Sequence, residues 1–146
     1  SCLLQYSDWN HFYGPTSSGQ RSSTGIEAVS VDVYVPNQSY AYFRPNASGG
    51  HYSYPGVVVM GMDRGSNKIS IQSTLTNVSY STSTWMNLWV ATNSSTGELA
   101  VYVDGSLVDT STFSGSLSNS YIHFNGGSTS WTAANVCWAN VAVYEQ

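Results

Sequence analysis

The sequence predicts an all-β protein, a two-sheet antiparallel sandwich, on three observations. Apolar residues recur with a period of two, as half-buried strands require. Gly, Pro, Asn and Asp punctuate the chain into about ten short runs, the spacing of sandwich folds. No long window carries the 3.6-residue repeat of an amphipathic helix.

Taken in order, Leu3, Leu4 and Tyr6 suggest a first strand, followed by an irregular stretch over residues 7–24. Residues 27–35 read as a strand with Val29, Val31, Val33 and Val35 on one face and Ser30, Asp32 and Tyr34 on the other. Pro36-Asn37 ends it. Tyr40, Tyr42 and Arg44 then alternate with Ala41 and Phe43, and Pro45 is expected to stop that strand. Residues 47–56 form a loop, and the apolar run 57–62 reads as a central strand buried on both faces. After a turn at 63–67, Ile69 and Ile71 should point inward and Lys68, Ser70 and Gln72 outward. Met86, Leu88 and Val90 alternate with Asn87, Trp89 and Ala91, and 93–97 turns the chain. Leu99, Val101 and Val103 follow, alternating with Ala100 and Tyr102. Asp104-Gly105 is a tight-turn dipeptide whose backbone must reach positive φ, and Leu107-Val108 begin the return strand. Residues 138–144 close the chain as a last strand.

Composition narrows the function. The 146 residues suit one domain spanning 1–146. Only 8% are charged, against roughly 25% in an average soluble protein, while 14% are aromatic and support a packed fold. A net charge of −4 with four scattered Lys and Arg cannot build a phosphate-tracking stripe, so no nucleic-acid partner is expected. No apolar run approaches the roughly 20 residues of a membrane helix. The chain opens at Ser1 without a signal-like segment, so a secreted protein is expected here in its mature form. N-x-S sequons at Asn37, Asn46, Asn77 and Asn93 and the low charge point to an extracellular glycoprotein.

The order W-x-x-L-W-V over 85–90, then S-T-G-E-L-A-V-Y-V-D-G-S-L-V over 95–108, resembles the concanavalin A-like and laminin-G-like jelly rolls. The run F-N-G-G-S-T-S-W over 124–131, before an aromatic-rich last strand, is similar to polysaccharide lyases of the alginate and glucuronan type. Val33-Tyr34-Val35-Pro36 and the Gly49–Gly56 loop look like loosened forms of two further motifs of those lyases. The chain is shorter than those enzymes, and His51 stands where they carry lysine. First and last strands are commonly neighbours in a jelly roll, so the resemblance lets Cys2 and Cys137 meet. A disulfide closing so long a loop would contribute roughly 4–5 kcal/mol; two buried thiols are the alternative.

Chemistry is sparse. Glycoside hydrolysis needs paired carboxylates roughly 5–10 Å apart, and the E-x-D-x-x-E strand of related glucanases is absent. Glu27 and Asp32 are an odd number of residues apart and face opposite ways, while Glu98, Asp104 and Asp109 lie at or near turns. There is no G-x-S-x-G elbow, and His11, His51 and His123 show no zinc-ligand spacing. No cofactor is expected beyond calcium, which laminin-G-like modules often bind and for which Asp63 and Asp104 are the candidates. β-Elimination on a uronate needs a carboxylate neutraliser, a base and an acid. The lyase resemblance offers Arg44 for the first role and His51, Tyr54 and His123 for the others.

Glycan binding needs less: aromatic faces for pyranose C–H surfaces, and amide, Arg or carboxylate groups for hydroxyls. Tyr40, Tyr42 and Arg44 on one strand and Tyr121, His123 and Asn125 on another meet that need, if both lie on the concave sheet. His51, Tyr52, Tyr54 and Trp131 would border them from loops. Trp85, Trp89 and Trp138 are expected to pack in the core or on a sheet. The expected function is therefore a secreted, lectin-like carbohydrate-binding protein. A small uronate lyase and a structural or adhesive surface subunit are the alternatives. A lectin with one shallow site needs two or more subunits, a homo-oligomer, to bind avidly.

Overall fold

The computed structural model describes residues 4–6, 26–47, 58–60, 67–72, 74–93, 95–112, 121–128 and 136–144. Its strands are β1 (Leu4–Tyr6), β2 (Ile26–Tyr34), β3 (Ser39–Ala47), β4 (Val58–Met60), β5 (Lys68–Ile71) and β6 (Thr74–Ser79), then β7 (Trp85–Asn93), β8 (Glu98–Val103), β9 (Ser106–Thr112), β10 (Tyr121–Ser128) and β11 (Val136–Tyr144). They form a six-stranded sheet, ordered β1-β11-β2-β7-β8-β9, and a five-stranded sheet, ordered β10-β3-β4-β5-β6. Every pairing is antiparallel. The chain passes between sheets after β2, β6, β9 and β10, so sequence-distant strands become neighbours. This is a two-sheet antiparallel jelly-roll sandwich.

The inner faces follow the alternation in the sequence. From the larger sheet, Val29, Val31, Val33, Met86, Leu88, Val90, Leu99, Val101, Val136 and Trp138 enter the core. Ala41, Phe43, Ile69 and Ile71 meet them from the smaller sheet. Phe43 and Trp138 join the two layers, with ring centroids 6.0 Å apart. Burying each large aliphatic side chain contributes roughly 1.5–3 kcal/mol. Tyr80, just past β6, is also in the core at 6% exposure, and its hydroxyl has no partner among the described residues. Burial pushes its pKa from 10.0 up to about 12.

Turn chemistry fixes the registers. Asp104 and Gly105 take φ of 50° and 81°, the paired positive values of a type I′ turn, so Val103 pairs directly with Ser106. At 93–97, the Asn93 side-chain Oδ1 accepts the Ser95 and Thr96 N–H groups, and Gly97 closes the turn at φ 72°.

Three features depart from a plain reading of the sequence. Pro45 does not stop β3, which continues to Ala47. Tyr121 pairs with Ala47 and His123 with Arg44, so Pro45 and Asn46 together face Ile122 in a bulge, where a missing N–H is tolerated. No strand was expected at 74–79, yet β6 forms the edge of the smaller sheet. Its inward positions are Thr76 and Val78 rather than two large apolar residues, so no hydrophobic alternation marks it. Thr76 is tolerated in the interior because its hydroxyl donates to the Ile69 carbonyl at 2.7 Å. In β11, Asn140 and Val141 together face Val31, and Asn140 takes φ 53°, a conformation Asn adopts more readily than most residues.

Candidate functional site

The pairing of β3 with β10 brings the two predicted halves of a binding face together. Arg44 stands opposite His123, Tyr42 opposite Asn125, and Tyr40 opposite Gly127. Tyr40 is only 2% exposed, with Tyr42 packed edge-on against it at 5.4 Å. Tyr42 is half-buried, so of the two tyrosines it is the one with surface left for a ligand. The bulge at Pro45-Asn46 separates Tyr121, paired with Ala47, from the regular ladder that begins at His123. His51, Tyr52, Tyr54, Trp131, Asp63 and Cys2 lie outside the described residues.

The other predicted positions are placed as follows. Asp104 sits in its turn with one carboxylate oxygen accepting the Asn87 N–H at 2.8 Å. Its own N–H donates back to the Asn87 carbonyl at 2.9 Å. Among the described residues, no three His, Cys, Asp or Glu side chains come together as a metal-holding group. Asn37 and Asn77 are exposed, Asn93 caps the 93–97 turn, and Asn46 lies in the β3 bulge. Cys137 is buried in β11 opposite Gln5 of β1, and no described cysteine is free.

A second group of residues, on the outer face of the larger sheet, was not among the predicted site positions. Trp85 stands opposite Tyr34 across β7 and β2, with ring centroids 5.7 Å apart and Trp85 45% exposed. Trp89 meets Tyr144 at 5.0 Å. These two rings reach each other over β2 because Ala28 and Ser30 are small there. Tyr144 is 50% exposed.

Between the aromatic pairs lies a polar network that crosses three strands. The Asn87 side-chain amide donates to Ser30 Oγ at 2.9 Å and to Asp32 Oδ1 at 3.1 Å. Asn140, aimed by its bulge, donates to Asp32 Oδ2 at 2.8 Å. The sequence signal was the alternation Trp85-x-Asn87-x-Trp89 beside Ser30-x-Asp32-x-Tyr34, whose outward members are all ring or polar side chains. Of the three tryptophans expected in the core or on a sheet, Trp138 enters the core, while Trp85 and Trp89 pack on the sheet against Tyr34 and Tyr144.

Charge is partitioned between the sheets. The strands of the larger sheet carry Glu27, Asp32, Glu98 and Asp109 and no Lys, Arg or His. The strands of the smaller sheet carry Arg44, Lys68 and His123 and no carboxylate.

No family model matches the sequence, and no curated protein matches it. Solved structures do resemble the fold. An alginate lyase from Corynebacterium sp. superposes with a TM-score of 0.58 at 15% identity, over 88% of this chain and 62% of the lyase. The chain thus spans less than two thirds of that enzyme. The carbohydrate-binding module CBM66 from Bacillus subtilis gives 0.58 at 10% identity, over 100% of this chain and 98% of the module. The Caenorhabditis elegans galectin LEC-6 gives 0.53 at 12% identity, covering 90% and 94% of the two chains. At these identities the likeness establishes the fold.

Proposed function

We propose that the protein is a secreted, lectin-like carbohydrate-binding protein that engages a glycan through β3 and β10 of the smaller sheet. The observation that carries this reading is the register. It sets Arg44 beside His123 and Tyr42 beside Asn125, an aromatic–amide–cation ladder built from two segments far apart in sequence. The fold's likeness to a carbohydrate-binding module and a galectin, each covered almost end to end, supports it. Because these strands bear the Arg44 guanidinium and no carboxylate, acidic glycans are the preferred class. A glycan array probed with the wild type and with Arg44→Ala and His123→Ala tests it. Acidic glycans should be retained by the wild type and lost by both variants. Retention unchanged in both would remove these strands from the site.

The Arg44–His123 pairing also favours a second reading, β-elimination on a uronate polymer, as does the likeness to the alginate lyase. There Arg44 would neutralise the substrate carboxylate and His123 would take the C5 proton. The C4–O bond would break as the C4–C5 double bond forms, the departing oxygen receiving a proton from a tyrosine. Ultraviolet absorbance growing on alginate or polyglucuronate, and lost in Arg44→Ala, would replace the lectin reading with this one.

Extracellular placement goes with the proposal. A Cys2–Cys137 disulfide is supported by β1 lying beside β11, by the lack of a free cysteine among the described residues, and by the presence of one other cysteine in the sequence. Non-reducing peptide mapping should recover the two cysteines in one linked peptide pair. The exposed sequons Asn37 and Asn77 are the expected glycan carriers.

A further inference from the structure

The outer face of the larger sheet has the chemistry of a second, separate glycan surface. Trp85 and Trp89 are four positions apart on β7, which places their backbones about 14 Å from one another along the strand. Each is braced by a tyrosine, so the exposed ring faces are held in place before a ligand arrives. That length exceeds one pyranose ring and suits a short stretch of polysaccharide. Midway between the rings, Asp32 is fixed through both carboxylate oxygens by the amides of Asn87 and Asn140. The remaining lone pairs of Asp32 and the amide oxygens of both asparagines make this centre rich in acceptors. Sugar hydroxyls are donors suited to it.

We propose that this face binds a neutral, hydroxyl-rich glycan chain, stacked on Trp85 and on the Trp89–Tyr144 pair and hydrogen-bonded to Asp32 between them. Charge selects the occupant. The strands of this sheet supply no cation, so a uronate or other acidic sugar would meet Asp32 uncompensated. A second copy packed face to face across a two-fold axis would bring two Asp32 carboxylates toward each other with nothing basic on these strands to neutralise them. Leu107, paired with Tyr102 at the β9 margin and 53% exposed, extends the apolar border of the face. The surface is independent of the β3–β10 ladder, which lies in the other sheet, so either can fail without the other.

Affinity electrophoresis of the full chain tests the proposal, in gels containing a soluble β-glucan, a galactomannan or a soluble starch, with polygalacturonate as the acidic comparison. At least one neutral polymer should retard the wild type. Trp85→Ala and Tyr144→Ala, both at exposed positions, should each weaken that retardation tenfold or more while melting temperatures stay close to wild type. Arg44→Ala should leave it unchanged. Three outcomes would overturn the assignment: no retardation by any neutral polymer, retardation that survives both aromatic variants, or a dimer in sedimentation that Trp85→Ala dissolves.

Discussion

The two sheets bury their inner faces against one another, yet they are built differently. The larger sheet turns an almost uniform aliphatic surface inward, with Val29, Val31 and Val33 beside Met86, Leu88 and Val90 and then Leu99 and Val101. The smaller sheet's side is less regular, with Phe43 and two isoleucines beside the polar Thr76, and with Tyr80 entering next to them. Outward, the larger sheet gathers rings and a clamped carboxylate, while the strands of the smaller carry the basic residues. An inner face is constrained by packing, so its residues report stability. An outer face is free of that constraint, so a non-random grouping there is the more informative sign of a ligand.

Substitutions can break this contrast in graded steps. The largest effect should come from Trp138→Ala, which empties the contact between the sheets. A loss of roughly 3–5 kcal/mol is expected in urea unfolding, from a residue fully buried against Phe43. A loss below about 1 kcal/mol would mean the sheets are held together elsewhere. Next is Asn87→Ala, on the outer face. It removes the amide bonds to Ser30 and Asp32, and about 1–2 kcal/mol should go with them. Asp32 would keep its Asn140 partner, so the fold should survive with the larger sheet's polar centre loosened. Gly105→Ala should cost about 1 kcal/mol through backbone strain alone. The glycine sits at φ 81° and a methyl group there would meet nothing within 4 Å.

The smallest change should be Tyr80→Phe, which removes a buried hydroxyl without a described partner and should leave stability unchanged or up to about 1 kcal/mol higher. It has a sharper signature in pH. The phenol ionises near 10 in the unfolded chain and near 12 in the fold, so the unfolded state loses its proton first. The contribution from Tyr80 is intact below pH 10 and declines as pH rises toward 12, by at most about 1.4 kcal/mol per unit. Unfolding midpoints of wild type and Tyr80→Phe should therefore diverge above pH 10 and run parallel below it. Parallel curves throughout would place the hydroxyl in a polar setting.

Much of the fold was legible in the sequence because the physics that sets it is local. The valines of β2 and the Met86–Leu88–Val90 series announce buried faces through a two-residue period alone. Asp104-Gly105 announces its turn because few dipeptides reach positive φ twice. β6 escaped because its inward residues are Thr76 and Val78, and the polar one is accommodated by donating to a carbonyl on the neighbouring strand. Pro45 misled because a bulge is a property of two strands together, and its partner β10 lies far along the chain.

The candidate sites divide along the same line. By itself the sequence determined which residues share a face of one strand: Ser30, Asp32 and Tyr34 on one, Asn87 and Trp89 on another. Only the tertiary structure decided that β11 flanks β2 and β2 flanks β7, which lets Asn140 clamp Asp32 and lets Tyr144 reach Trp89 over Ala28 and Ser30. It also decided that Tyr40, outward by period, is nearly fully covered. Periodicity follows from the geometry of a single backbone, whereas sheet order and register follow from which distant strands the chain closes together.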